Sequence, residues 1–219
     1  MRGLYLLLIL VLVGSGSCEK WRLKQPATLN LSWKFQSTAS SQGNAVINKG
    51  YFYSKQFTVS GTRVKGDPVL ITQDLLFDKI EFSTENDLGI ALDVPMGDYT
   101  EFEIKTLIDA SNHPCIHLEG YFYKGEEQIP MIIEWFDYDA LSFKVKNSFY
   151  LQRKKNYKVY IGVDVEKLLS TVSSSLLYNA PISNENGVPT LVVRNNGTSA
   201  NLYNQITAQI PNALVLTVE

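Results

Sequence analysis

Between residues 28 and 36 apolar and polar side chains alternate without a break. Leu29, Leu31, Trp33 and Phe35 interleave with Asn30, Ser32, Lys34 and Gln36. A period of two puts each set on its own face, so the segment reads as a half-buried β-strand. The signal returns along the chain. Aromatic and β-branched runs over 51–59, 75–83, 89–94, 99–108, 116–123, 129–136, 142–151 and 157–163 read as further strands. Leu76, Ile80 and Phe82 share one face of their run, as do Phe102 and Ile104, and Ile116 and Leu118, in theirs. Pro95-Met96-Gly97-Asp98 and Lys124-Gly125-Glu126-Glu127 punctuate the series as turns. Many short strands, with connections too short for helical crossovers, predict a mainly β fold: an antiparallel β-sandwich.

The period changes to 3.6 at residues 164–177. Val165, Leu168, Leu169, Val172 and Leu176 form one stripe, Asp164 stands at the N-cap position, and Asn179-Ala180-Pro181 stops the helix. A weaker helical pattern at 199–210 aligns Leu202, Ile206 and Ile210, and residues 190–194 and 213–219 read as closing strands. One or two short helices are therefore expected in the C-terminal third. Residues 36–50, rich in Ser, Asn and Gly, read as a linker or long loop, and a junction between two lobes would fall near 148–156. No internal repeat is visible, so 28–219 is taken as a single β-sandwich domain.

The N-terminus follows different rules. Arg2 precedes an unbroken apolar run at 4–13, then the small residues Gly14-Ser15-Gly16-Ser17, then Cys18. Charged end, short apolar core and small-residue exit are the parts of a secretory signal peptide over 1–17. The run is too short to span a bilayer, which takes about 20 residues. Either a signal peptidase cuts after small residues near Ser17, or Cys18 becomes the first residue and carries lipid. The second reading makes 18–27 a polar tether, with a reach of roughly 30 Å when extended. A lipidated Cys18 leaves Cys115 a lone thiol; a free Cys18 would allow a Cys18–Cys115 disulfide.

Composition narrows the function. Basic and acidic residues nearly balance, 20 against 22, which argues against a nucleic-acid partner. Nucleotide-binding glycine loops, nucleophile elbows and zinc-protease motifs are absent from the sequence, and no cofactor is implied. Three clusters carry candidate chemistry. His113-Pro114-Cys115-Ile116-His117 holds both histidines of the chain, and strand parity would put His113, Cys115, His117 and Glu119 on one face, with His113, Cys115 and His117 as candidate ligands for zinc or copper. Their strand spacing, near 6.6 Å, is wide for a tetrahedral site. Glu134, Asp137 and Asp139 form an acidic group suited to calcium or to acid–base work. Aromatic residues make up 11% of the chain. Trp135 and Tyr138, with Tyr51, Tyr53, Tyr121 and Tyr123, suit a stacking platform for sugar rings, and Trp135, Tyr138, Asp137 and Asp139 are the candidate ligand-binding group.

The sequence resembles a family. It has the Cys-ended signal, the run LLFDKIEFS, Gly89-Ile90-Ala91-Leu92-Asp93-Val94-Pro95 followed by Gly97-Asp98-Tyr99, His117-Leu118-Glu119-Gly120-Tyr121-Phe122-Tyr123, Ile129-Pro130-Met131, Tyr178-Asn179-Ala180 and Asn201-Leu202-Tyr203. Over most of residues 75–205 this is similar to the small β-sandwich lipoproteins of unknown function of Bacteroidetes-type bacteria. The resemblance implies a lipid-anchored protein of the cell envelope, on the outer membrane, that presents a binding or assembly surface to a protein or glycan, as adhesion-related members do. It implies no catalytic residue. The alternatives are a periplasmic carrier of a small ligand or metal using His113, Cys115 and His117, and a secreted protein without lipid.

Overall fold

A computed structural model describes residues 26–75, 79–111, 114–145 and 147–219. In chain order the strands and helices are β1 (Pro26–Lys34), β2 (Ala45–Arg63), β3 (Val69–Asp74), β4 (Lys79–Phe82), β5 (Glu85–Pro95), β6 (Gly97–Ile108), β7 (Ile116–Lys124), β8 (Glu127–Trp135), β9 (Ala140–Lys144), β10 (Phe149–Leu151) and β11 (Asn156–Val163). The short helices α1 (Val165–Leu168) and α2 (Ser174–Tyr178) follow, then β12 (Ser183–Glu185), β13 (Val188–Val193), α3 (Ala200–Ala213) and β14 (Leu214–Val218). The fold is mainly β, at 60% strand and 14% helix among the described residues, as the period-two pattern predicts.

Two sheets face each other. One runs β14-β11-β1-β5, and the larger runs β10-β6-β2-β7-β8-β13-β12 with β3, β4 and β9 attached at its sides. The 19-residue β2 organises the larger sheet. Its first half lies between β4 and β7, its second half between β3 and β6. The exchange of neighbours falls at an irregularity between Ser54 and Gln56. There the buried Ser54 and Thr106 hydroxyls bond each other at 2.5 Å, so that neither hydroxyl is left without a partner where the ladder breaks. The inward faces of both sheets meet in one apolar cluster. Trp33 sits at its centre, stacked on Phe82 at 3.8 Å and flanked by Phe35 and Phe52. Leu29, Leu31, Trp33 and Phe35 are all buried, as their alternation requires.

Several expectations change. Most strand pairs are antiparallel, as expected, but β1 pairs parallel with β11, and β8 with β13. Parallel pairing needs a long return path, and each of these connections carries several other strands. Of the segment at 36–50, residues 36–44 form the expected loop and 45–50 are the start of β2. The run at 75–83 contributes only β4 among the described residues; Leu76 lies outside them, while Ile80 and Phe82 point into the core. The run at 142–151 is split between β9 and β10. The single helix at 164–177 is two short turns, because Ser and Thr hydroxyls compete for its backbone. Ser170 donates to the Lys167 carbonyl at 2.7 Å, and Ser173 starts a new helix by accepting from the Leu176 amide at 3.1 Å. Its apolar stripe still reaches the core through Val165, Leu168, Leu169 and Val172. The weaker pattern at 199–210 is the longest helix, α3, which buries Leu202, Ile206 and Ile210. None of the helices among the described residues is long and apolar enough to cross a membrane.

Candidate functional site

Register brings together residues that lie far apart in sequence. The β7–β8 hairpin turns at Gly125, whose φ of 69° suits a residue without Cβ. That turn places His117 directly opposite Glu134. On the other side of β7, β2 places Tyr51 opposite His117 and Lys49 opposite Glu119. The parallel pairing of β13 with β8 sets Val193 opposite Ile133, so Arg194 emerges beside Glu134. Core residues Ile116, Leu118, Ile133 and Trp135 take the inward face, so this row lies on the outward face.

The row is joined atom to atom. His117 Nδ1 meets Glu134 Oε1 at 3.1 Å and His117 Nε2 meets Glu119 Oε1 at 3.0 Å. Arg194 Nε donates to Glu134 Oε2 at 2.5 Å, and Lys49 Nζ pairs with Glu119 Oε2 at 2.6 Å. The Tyr51 ring stacks on the imidazole at 4.8 Å with 4° between planes, and the Lys79 ammonium sits 4.2 Å from the Tyr51 ring centre. A neutral imidazole donates to one carboxylate, a protonated one to both. Burial pushes the Glu134 carboxyl up, but hydrogen bonds from His117 and Arg194, with the charge of Arg194, outweigh it and hold the group below the ordinary range. Glu119 is lowered in the same way, burial being overcome by Lys49 and His117.

Two tyrosine pairs flank the row. Tyr51 and Tyr53 meet edge to face at 5.7 Å, Tyr121 and Tyr123 at 5.5 Å. All four are partly or largely exposed. Gly120, beside Tyr121, allows the close approach of β2: a Cβ there would overlap the Val46 carbonyl at the β2 bulge.

The sequence-predicted residues separate into three groups. His117, Glu119 and Glu134 come together. Cys115 lies just before β7, fully buried, its thiol donating to the Trp135 carbonyl at 3.1 Å; burial pushes its pKa up, which makes it a packed, unreactive thiol. His113 and Cys18 lie outside the described residues. Among those residues no cluster of three His, Cys, Asp or Glu could hold a metal. Trp135 leaves the platform: it is 1% exposed, and its Nε1 donates to Thr207 at 2.9 Å. It occupies an inward position of β8, which strand parity assigns to every second residue. Tyr138 packs half-buried against the core, while Asp137 and Asp139 are exposed after β8, away from the position of Glu134 on the strand. Lys49 and Arg194 carried no local signal, because only register brings them to the site. No family model, curated protein or solved structure matches this chain.

Proposed function

We propose that the chain is a non-catalytic, lipid-anchored protein of the cell envelope that holds a glycan against the outward face of β2, β7 and β8. The observation that carries this reading is the placement of Tyr51, Tyr53, Tyr121 and Tyr123 around a charged row whose members are already fixed by one another. The exposed Tyr123 and the half-buried Tyr53 and Tyr121 supply stacking area at low entropic cost, and the pre-ordered Lys49, Glu119 and Arg194 supply polar contacts. The same geometry speaks against glycoside hydrolysis. A general acid needs a carboxyl with a raised pKa, whereas Glu119 and Glu134 are both held low. The signal-like N-terminus, the small residues before Cys18 and the family resemblance support a bacterial outer-membrane location.

Two measurements test the reading. The intact mass of the native envelope protein should show acyl chains on Cys18; an unmodified Cys18 would remove the anchor and make the protein secreted. Titration with solubilised envelope polysaccharides, followed by NMR, should shift the tyrosine resonances. Tyr51→Ala and Tyr121→Ala should abolish the interaction without changing the melting temperature by more than a few degrees. Binding that survives both substitutions would place the glycan elsewhere, and failure of every polysaccharide would sink the glycan reading.

A further inference from the structure

The first described strand begins at Pro26, and the turns around that point form one pole. Pro26 pairs with Pro95, and its carbonyl accepts from the Lys154 amide at 2.8 Å. The Thr28 amide donates to the Lys155 carbonyl at 3.0 Å. Leu151 pairs with Gly97 and Arg63 with Tyr99. Arg63 closes the arrangement, donating to the carbonyls of Met96 at 2.9 Å and Asp67 at 2.8 Å. The β2–β3, β5–β6 and β10–β11 turns are thus bound to one another around the start of β1.

Their side chains differ in charge from the rest of the molecule. These turns carry Arg63, Lys65, Arg153, Lys154 and Lys155 against Asp67 and Asp98, five basic residues to two acidic, on a chain whose formal net charge is −2. Asp93, opposite Thr28, Glu101, opposite Thr62, and Glu219, beside Lys158, stand one to three residues further along the strands. Lys65, Arg153, Lys154 and Lys155 are exposed, and two apolar groups stand out among them, Val64 at 64% and Tyr150 at 47%. From Cys18 to Pro26 an extended chain reaches only about 26 Å. On the anchor reading, a lipid on Cys18 would hold the start of β1 within that distance of the bilayer.

We propose that this pole is a membrane-apposed face, with Lys65, Arg153, Lys154 and Lys155 against anionic phospholipid headgroups and Val64 and Tyr150 at the headgroup boundary. This inference rests on the anchor reading for its orientation. The charge contact itself does not need the lipid. Each basic residue near an anionic bilayer strengthens association about fivefold, and salt weakens it within a Debye length. Apposition would also turn the tyrosine face sideways, leaving it open to a partner.

The test uses the mature chain from residue 18 with Cys18→Ser, so that no acyl chain contributes. Sedimentation with phosphatidylcholine vesicles is compared with vesicles also containing phosphatidylglycerol. The expected result is binding to the anionic vesicles alone, lost in high salt. Lys65→Gln/Lys154→Asn/Lys155→Gln should weaken binding about a hundredfold. Lys79→Gln/Lys105→Gln/Lys124→Gln removes as much charge elsewhere and should weaken it far less. Melting curves verify that both variants fold. Absence of binding to anionic vesicles, or equal loss in the two variants, overturns the proposal. The intact mass at Cys18 reports separately on the anchor, so either idea can fail while the other stands.

Discussion

Glu85 and Glu134 each gather basic side chains on the outward side of a sheet, with an aromatic ring nearby, but at different depths. Glu85, on β5, accepts from Lys158 at 3.2 Å and from the Tyr160 hydroxyl at 3.1 Å, with Lys34 at 3.6 Å. Lys34 and Lys158 both approach the Tyr160 ring, at 4.8 and 4.6 Å. Here the ionic side chains are 43–50% exposed. At Glu134 the carboxylate is 8% exposed and the facing imidazole 10%. The partners are similar and the geometry is equally good, so the difference lies in solvent. An exposed ion pair exchanges one set of water contacts for a screened attraction. A buried carboxylate has no water to return to, so loss of one partner leaves its desolvation uncompensated. The first network decorates a surface; the second fixes side chains in place, which is what a binding face needs.

The largest effects should strike both sheets alike. Gly162 in β11 lets β1 approach, as Gly120 in β7 lets β2 approach; a Cβ would overlap the Lys34 carbonyl at one and the Val46 carbonyl at the other. These are backbone collisions that no rotamer can relieve. Gly120→Ala and Gly162→Ala should each cost more than about 4 kcal/mol, read as loss of soluble folded protein. Tolerance of either would mean that the strands part more readily than their register implies.

Arg194→Met comes next and separates the networks. It strips the guanidinium from a buried carboxylate, at a cost of about 3 kcal/mol. For a domain of this size that lowers the melting temperature by about 6–12 °C. Arg194→Met/Glu134→Gln should recover part of the loss, since no buried charge is then left alone. A double variant as unstable as the single would show that Arg194 contributes through packing, its guanidinium carbon lying 5.9 Å from the Phe136 ring centre.

The unequal legibility of the sequence follows from the same physics. Strand parity is local, so the buried set Leu29, Leu31, Trp33 and Phe35 could be read directly, as could the stripe from Val165 to Val172. Register is not local. His117 and Glu134 were both visible as candidates, in separate clusters, and only the length of the β7–β8 turn makes them neighbours. Arg194 and Lys49 were invisible because their strands reach the site by parallel pairing and across a bulge, which residue patterning does not encode. Trp135 shows the converse error: aromatic residues suit platforms and cores equally, and one residue's shift along a strand exchanges the two. The helix at 164–177 failed where serine hydroxyls, chemically legible but conformationally ambiguous, redirected the backbone.

Acid should act in the same direction on both networks but more strongly on the buried one. Glu134, Glu119 and Glu85 are all held below the ordinary value of 4.5. A carboxyl lowered in the folded state stabilises the protein above its unfolded pKa, and that contribution is lost as pH falls through the folded one. Stability should therefore decline below about pH 4.5. Denaturant titrations at stepped pH should show a shallower decline in Glu134→Gln. An unaltered slope in that variant would assign the acid sensitivity to other carboxylates.

The smallest effect is expected at Glu85→Gln, and its smallness is informative. The glutamine keeps an acceptor for the Tyr160 hydroxyl and loses only charge that water and salt already screen. Unfolding curves for this variant should coincide with wild type at high salt and separate slightly at low salt. Measured beside Glu134→Gln in the same buffers, it tests depth as the variable, because both substitutions delete one carboxylate held by basic and hydrogen-bonding neighbours. A salt-independent loss at Glu85 matching that at Glu134 would mean that the β1–β5–β11 face is covered in solution, and the contrast between a screened and a structural network would then fail.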